Sequence, residues 1–219
     1  MLKIYGCYRS RASRNIWLLN ELGQPFTIEP VIQANRLADP QAPGAPLNTR
    51  SPAFLKINPN GHIPSVDDGG LVLHESLAIN LYLAKKHGGP LAAANLAEDG
   101  LIGMWTAWVL TEVEGHAINI LYHRVARPVA ERDEKVAQAA IAALKAPFAV
   151  LDKALAEGGG TLVGKRFTVA DINVAECVRY AMPAGELFEA APHVKKWLAA
   201  CHARPAFKDM MAKREAEPA

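Results

Sequence analysis

Cysteine is scarce in this chain. Three residues in 219, Cys7, Cys177 and Cys201, are odd in number and widely spaced. They encode neither a disulfide framework nor a zinc pattern, and a reducing cytoplasm is the expected setting. An excess of one charge sign is missing too. The formal net charge is +2, which gives no reason to expect nucleic acid or an anionic membrane as a partner. No apolar run reaches the roughly 20 residues needed to span a bilayer, and no internal repeat is visible. The opening Met1-Leu2-Lys3-Ile4-Tyr5-Gly6 reads directly as a strand and leaves no room for a signal peptide.

What is present is an apolar chain of ordinary proportions. Half of its residues are hydrophobic, enough for one large core or two small ones. Residues 2–8 are a strand candidate, followed by a polar turn at Ser10 to Ser13. Ile16, Trp17, Leu18, Leu19 and Leu22 keep helical spacing, and Gly23 is placed to end that helix. Residues 26–32 read as a second strand, with Pro30 arguing for an edge or a bulge. Residues 38–49 are a loop. Ser51-Pro52 reads as an N-cap and first helical residue. The pattern over residues 1–87 is therefore β-α-β-α-β-β-α.

Residues 88–95 are small and loop-like, which sets a boundary between a first domain over 1–87 and a helical one over 88–219. One long helix is expected from Leu96 to about Val125. A second opens at Pro128, carries Pro147 as a predicted kink, and stops at Gly158-Gly159-Gly160. Thr168 and Asp171 are spaced as a variant capping box, with Phe167 and Ile172 as a hydrophobic staple. A buried helical Asp invites a catalytic role, but the cap explains the spacing without one. Pro192 opens a last helix to about Ala203, and the charged tail after Phe207 is expected to be mobile.

Two short signals carry the chemistry. The first is Asn58-Pro59-Asn60-Gly61-His62-Ile63-Pro64-Ser65-Val66. The second, His74-Glu75-Ser76, opens the apolar run from Leu77 to Leu83. Asp67-Asp68-Gly69-Gly70 marks a hairpin between them. Ser76 falls where a helix N-cap belongs, so its hydroxyl and the amides beyond it can hold an anion. Pro64 must begin its strand or lie on an edge. A cis Ile63-Pro64 bond would turn the Ile63 main chain toward a ligand.

This constellation resembles the glutathione-binding half of the cytosolic glutathione transferases, above all serine-type members of the theta and zeta kind. The resemblance rests on Asn58-Pro59, Ile63-Pro64 and Glu75-Ser76 in the family's order, and it extends to the Thr168–Asp171 cap. It implies an α/β thioredoxin-like N-terminal domain with Pro64 as its cis-proline, and an all-α C-terminal domain. It implies glutathione as co-substrate, a small hydrophobic electrophile as second substrate, a homodimer, and no metal. Ile63 would pair through its main chain with the cysteinyl part of glutathione. Glu75 and Ser76 would hold the γ-glutamyl end, and His62 would face the glycyl carboxylate.

The glutathione thiol needs a donor, because a free thiol of pKa near ~8.5 is mostly protonated at neutral pH. Placing Arg14 on the family's basic residue puts Ser10 at the activating serine. Ser13, an arginine, and plain capping are the rivals. Cys7 falls inside the strand and reads as a small buried residue. Trp108, Tyr122 and His123 are candidates for the electrophile pocket on the first long helix, with Arg124 beside them, although core packing competes for the tryptophans. Two further functions stay open: an isomerase acting on a maleylacetoacetate-like diacid, which would draw on Arg9, Arg11 and Arg124, and a non-catalytic binding or scaffold protein.

Overall fold

The computed structural model describes residues 1–218 and divides into two compact units, residues 1–87 with 205–218, and residues 88–204. The sequence reading placed everything after residue 87 in the helical unit. The end of the chain instead joins the first.

The first unit is built on a four-stranded sheet. Its strands are β1 (Leu2–Gly6), β2 (Phe26–Pro30), β3 (Ser65–Asp68) and β4 (Leu71–His74), in the order β2-β1-β3-β4. β1 runs parallel to β2 and antiparallel to β3, which pairs antiparallel with β4. Pro30 ends the edge strand β2, where its missing donor breaks no central ladder. The helices of this unit are α1 (Ala12–Leu22), α2 (Pro52–Leu55), α3 (Ser76–His87) and α10 (Pro205–Ala216). Together they give the β-α-β-α-β-β-α order expected of a thioredoxin-like domain, with one helix added from the far end of the sequence.

Alternation along β1 sorts its side chains between the two faces. Leu2, Ile4 and Gly6 are buried, and Tyr5 and Cys7, on the other face, pack against Val31, Phe54 and Ile63. α1 lies against α3 and α10. The Trp17 and Phe207 rings meet edge to face, centroids 4.9 Å apart. That contact overturns the expectation of a mobile tail: Pro205 sits at the first helical position, and Phe207 and Met210 follow at helical spacing and are buried.

Local signals are mostly realised. Gly23 ends α1 at φ 62°, the left-handed conformation glycine adopts freely. Ser51 precedes α2 but its hydroxyl accepts from Asn48 N–H at 3.0 Å rather than capping the helix.

In the second unit, α4 (Leu96–Trp108) continues through a π-helical stretch, Val109–Glu114, into α5 (Gly115–Leu121), and then a second π-helical stretch, Tyr122–Ala126. The expected single long helix is thus continuous but twice under-wound. The next helix, α6 (Glu134–Glu157), starts at an Asp133 cap rather than at Pro128, and runs on through Pro147. α7 (Val169–Val178), α8 (Gly185–Glu189) and α9 (Pro192–Ala203) complete the unit. Every residue of α7 is buried, so it is the central helix of this unit. Both halves of the Thr168–Asp171 capping box are present.

Candidate active site

The site is assembled where the first strand hands over to the first helix. β1 ends at Gly6, and Cys7 to Arg11 form the turn into α1. A Cβ on Gly6 would come within 3.0 Å of Ala12 Cβ and 3.8 Å of both Ser10 Oγ and Ile63 Cβ. The missing side chain therefore lets the turn and the Ile63-Pro64 segment close on each other. The Ile63-Pro64 bond is cis, as expected. The β1–β3 ladder ends at Tyr5–Ser65, so the Ile63 main chain lies just beyond it.

Ser10 is 7% exposed. Its hydroxyl donates to the Cys7 carbonyl at 2.6 Å and accepts from the Ala12 amide at 3.0 Å. The oxygen thereby satisfies the first amide of α1, and its proton is turned to the Cys7 carbonyl. Ser13, the rival, is fully buried inside α1. Cys7 is half-buried, and its thiol is pushed above its usual range by burial and then by the Glu217 carboxylate. The Ser10 hydroxyl, Arg36 and Arg214 act the other way. A thiol so held is protonated at neutral pH, which agrees with its reading as a packing residue.

The opposite wall is the start of α3. Ser76 is the first residue of this helix rather than its cap. Glu75 holds the preceding position at φ 71°, a conformation unusual for a residue with a side chain. A buried network ties Ser76 to α1. The Arg14 guanidinium donates to Ser76 Oγ at 3.1 Å, and Asn15 Nδ2 to the Ser76 carbonyl at 2.8 Å and to Asn80 Oδ1 at 2.7 Å. Asn80 Nδ2 returns a bond to the Arg14 carbonyl at 3.3 Å. A cation and a hydroxyl at the amino end of a 12-residue helix suit a carboxylate. The sequence flagged Ser76 and used Arg14 only as a landmark. Asn15 and Asn80 gave no signal: Asn80 is one polar residue in an apolar helical run, and Asn15 follows Ser13 and Arg14 in a polar helix start.

His62 is exposed, with its carbonyl held by Asn58 Nδ2 at 2.7 Å. The neighbouring Gly61 is required: at φ 61°, any Cβ would meet the Thr49 carbonyl oxygen at 2.7 Å.

The residues proposed for the electrophile do not converge. Trp108 is used against Trp105, rings edge to face at 5.0 Å. Tyr122 lies 14 positions further along, about 20 Å at 1.5 Å per residue. His123 is buried, and its Nδ1 accepts from the Asp133 amide at 2.9 Å, closing the turn before α6. Arg124 is bound by Glu134 at 2.6 Å and Glu186 at 3.3 Å. The cation that a diacid isomerase would need there is already neutralised. Among the described residues, no group of three or more His, Cys, Asp or Glu is arranged to hold a metal ion, and no helix is long and apolar enough to cross a membrane.

Residues 4–91 match the model of the glutathione S-transferase N-terminal domain, and residues 110–205 that of the C-terminal domain. The chain is 34% identical to glutathione S-transferase 3 of Zea mays, over 96% of this chain and 93% of that one. It superposes on a theta class glutathione S-transferase from Xanthomonas axonopodis pv. citri, solved with glutathione bound, with a TM-score of 0.79, 30% identity and 95% of each chain covered. With glutathione S-transferase I from maize, in complex with an atrazine glutathione conjugate, the TM-score is 0.83 at 27% identity and 99% coverage of each chain. The chain belongs to the glutathione S-transferase family.

Proposed function

We propose that this transferase binds glutathione along the Ile63-Pro64 segment, with the γ-glutamyl carboxylate at Ser76 and Arg14, and that Ser10 turns its thiol into the attacking thiolate. The observation that carries this is the approach of Ser10 Oγ and Ile63 Cβ to one point above Gly6, each at 3.8 Å. The main chain that would pair with the cysteinyl unit and the hydroxyl that would meet its sulfur are therefore brought close to each other beside Gly6.

The chemistry is a nucleophilic displacement or addition. Rotation of the Ser10 hydroxyl from the Cys7 carbonyl toward the sulfur supplies a hydrogen bond to the thiolate, and the thiol proton leaves to solvent. The sulfur then forms a bond to an electrophilic carbon; in a displacement the leaving group departs with the electron pair of its broken bond, and in an addition the π pair moves onto the acceptor and takes up a proton from solvent. Lowering the thiol pKa by two takes about 2.7 kcal/mol in favour of the anion. A hydrogen bond to a charged acceptor together with nearby cations is in that range. The glycyl carboxylate is assigned to the loop that carries His62. The electrophile is a small hydrophobic molecule, and the enzyme works as a cytoplasmic homodimer. Support for conjugation over isomerisation comes from Arg124, whose guanidinium is occupied by two carboxylates.

The test is a pH titration of enzyme-bound glutathione followed by ultraviolet difference absorbance, run beside Ser10→Ala. A thiolate formed near neutral pH in the parent and lost in the variant is the expected result. An unchanged titration in Ser10→Ala removes Ser10 from the role, and no thiolate in the parent removes the activation mechanism.

A further inference from the structure

The turn that carries Ser10 is held from outside by the end of the chain. Just beyond α10, the Glu217 carboxylate accepts from two successive amides of that turn, Tyr8 N–H at 2.9 Å and Arg9 N–H at 2.6 Å. On the last turn of α10, the Arg214 guanidinium donates to the Tyr8 carbonyl and, at 3.4 Å, to the Ser10 carbonyl. Arg9 reaches back to the Arg214 carbonyl at 3.1 Å and the Glu215 carbonyl at 3.4 Å, closing the helix end. On the far side, Arg36 donates to the Arg9 carbonyl at 2.7 Å. The amides of Tyr8 and Arg9 and the carbonyl of Tyr8 are thus bonded to a segment some 200 positions away in sequence. Within the turn and the start of α1, the Ser10 hydroxyl and the Ser13 amide, which donates to the Ser10 carbonyl at 3.3 Å, supply the local ties.

We propose that the end of α10 is a strap that sets where Ser10 presents its hydroxyl, with Glu217 as the positioning residue. The carboxylate is bidentate on adjacent amides, so it fixes the orientation of both peptide planes and not merely their distance from the helix. Ser10 follows directly. A hydroxyl that must move between the Cys7 carbonyl and a substrate sulfur needs its Cα held still while only its side-chain torsion changes. The strap rests on the assignment of Ser10 as the activating donor.

Position and charge make opposite predictions here. A negative charge beside the turn disfavours any anion formed there, and Glu217 acts on Cys7 in that direction. If Glu217 mattered only as a charge, its removal would lower the pKa of a bound thiol. If it acts by position, removal raises it, because the donor is no longer held at the sulfur.

The experiment compares parent, Glu217→Ala, Glu217→Gln and Ser10→Ala, each as the full chain. Bound glutathione is titrated by ultraviolet difference absorbance, kcat and KM for glutathione are measured, and thermal unfolding confirms the fold. The expected result for Glu217→Ala is a bound-thiol pKa higher by about one, with kcat/KM at neutral pH lower by roughly tenfold. Glu217→Gln keeps an acceptor for one amide and falls between Ala and the parent. If Glu217→Ala does not fold, Glu217→Gln carries the test, with a smaller rise in pKa expected. A lowered or unchanged pKa in Glu217→Ala, with Ser10→Ala inactive, overturns the strap and leaves Ser10 in its role. An unaltered titration in Ser10→Ala overturns both.

Discussion

Replacing Asp171 with alanine separates a folding role from a catalytic one. The carboxylate is completely buried in the second unit. Its Oδ2 accepts from the Thr168 amide at 2.9 Å and the Thr168 hydroxyl at 3.2 Å. Its Oδ1 accepts from the Leu162 amide at 3.2 Å and the Trp197 indole N–H at 2.9 Å. One side chain thus joins the start of α7, the loop before it, and α9. Alanine leaves three N–H groups without acceptors, and each buried donor so stranded costs roughly 1–3 kcal/mol. The Thr168 hydroxyl can turn elsewhere and adds little. Partial access of water brings the expected loss to about 3–5 kcal/mol, the upper range for a single substitution. For a chain of this size that lowers the unfolding midpoint by about 6–20 °C. Circular dichroism melts measure the shift. Glutathione conjugation, assayed well below the new midpoint, should stay within about twofold of the parent. A midpoint within two degrees of the parent would refute the network, and a folded but inactive variant would refute the purely structural assignment.

Other outcomes follow from the same contacts. Arg14→Lys keeps a charge beside Ser76 but loses the planar fork, so KM for glutathione should rise about tenfold with a smaller change in kcat; equal KM values would exclude Arg14 from carboxylate binding. Glu98 is held down to about 2, from 4.5, first by the hydrogen bond from Arg166 and then by the Ala94 amide. Its folded pKa is depressed, so this stabilisation is complete above about pH 4.5 and is lost as pH falls through 2; Glu98→Gln should flatten denaturation midpoints across that window. His202 is lowered to about 4 from 6.5, chiefly by burial. The unfolded chain binds the proton first, so stability present above pH 6.5 is lost as pH falls toward 4. His202→Gln should weaken that slope, and an unchanged acid profile would show that His202 is not its source.

The first unit was legible because its signals are local and physically forced. Gly23, Pro30, the Gly69-Gly70 hairpin and the basic end of α3 each constrain the backbone within a few residues. The Thr168–Asp171 box is equally local. The second anchor of Asp171, Trp197, lies 26 positions away and could not be read. The candidate site divides in the same way. Ile63-Pro64 and Ser76 were flagged by motif and Ser10 by placing Arg14 on the family's basic residue, whereas Asn15, Asn80, Arg36, Arg214 and Glu217 make contacts between distant segments. Ser76 was displaced by one position from the expected cap because Glu75 takes the left-handed conformation. The π-helical stretches were not read, because an extra residue in a turn shows in the sequence only as a one-residue skip in the apolar spacing, within the scatter of an ordinary helical pattern. α10 is the exception, for its signal was present: Pro205 followed by Phe207 and Met210 is a helix start with two core positions. The high charge of the residues after it obscured that signal.

The pairing of Trp17 with Phe207 bears on how the chain is made. The ribosome delivers the sheet and α1 first, then all of residues 88–204, and only then the helix that covers Trp17. At about 5–20 residues per second, that interval lasts roughly 6–23 s. Throughout it the nascent sheet layer carries an uncovered tryptophan face, while the helical segment has everything needed for its own core. The insert can therefore finish folding before the layer that flanks it, and a ribosome stalled short of Pro205 would display that face to chaperones.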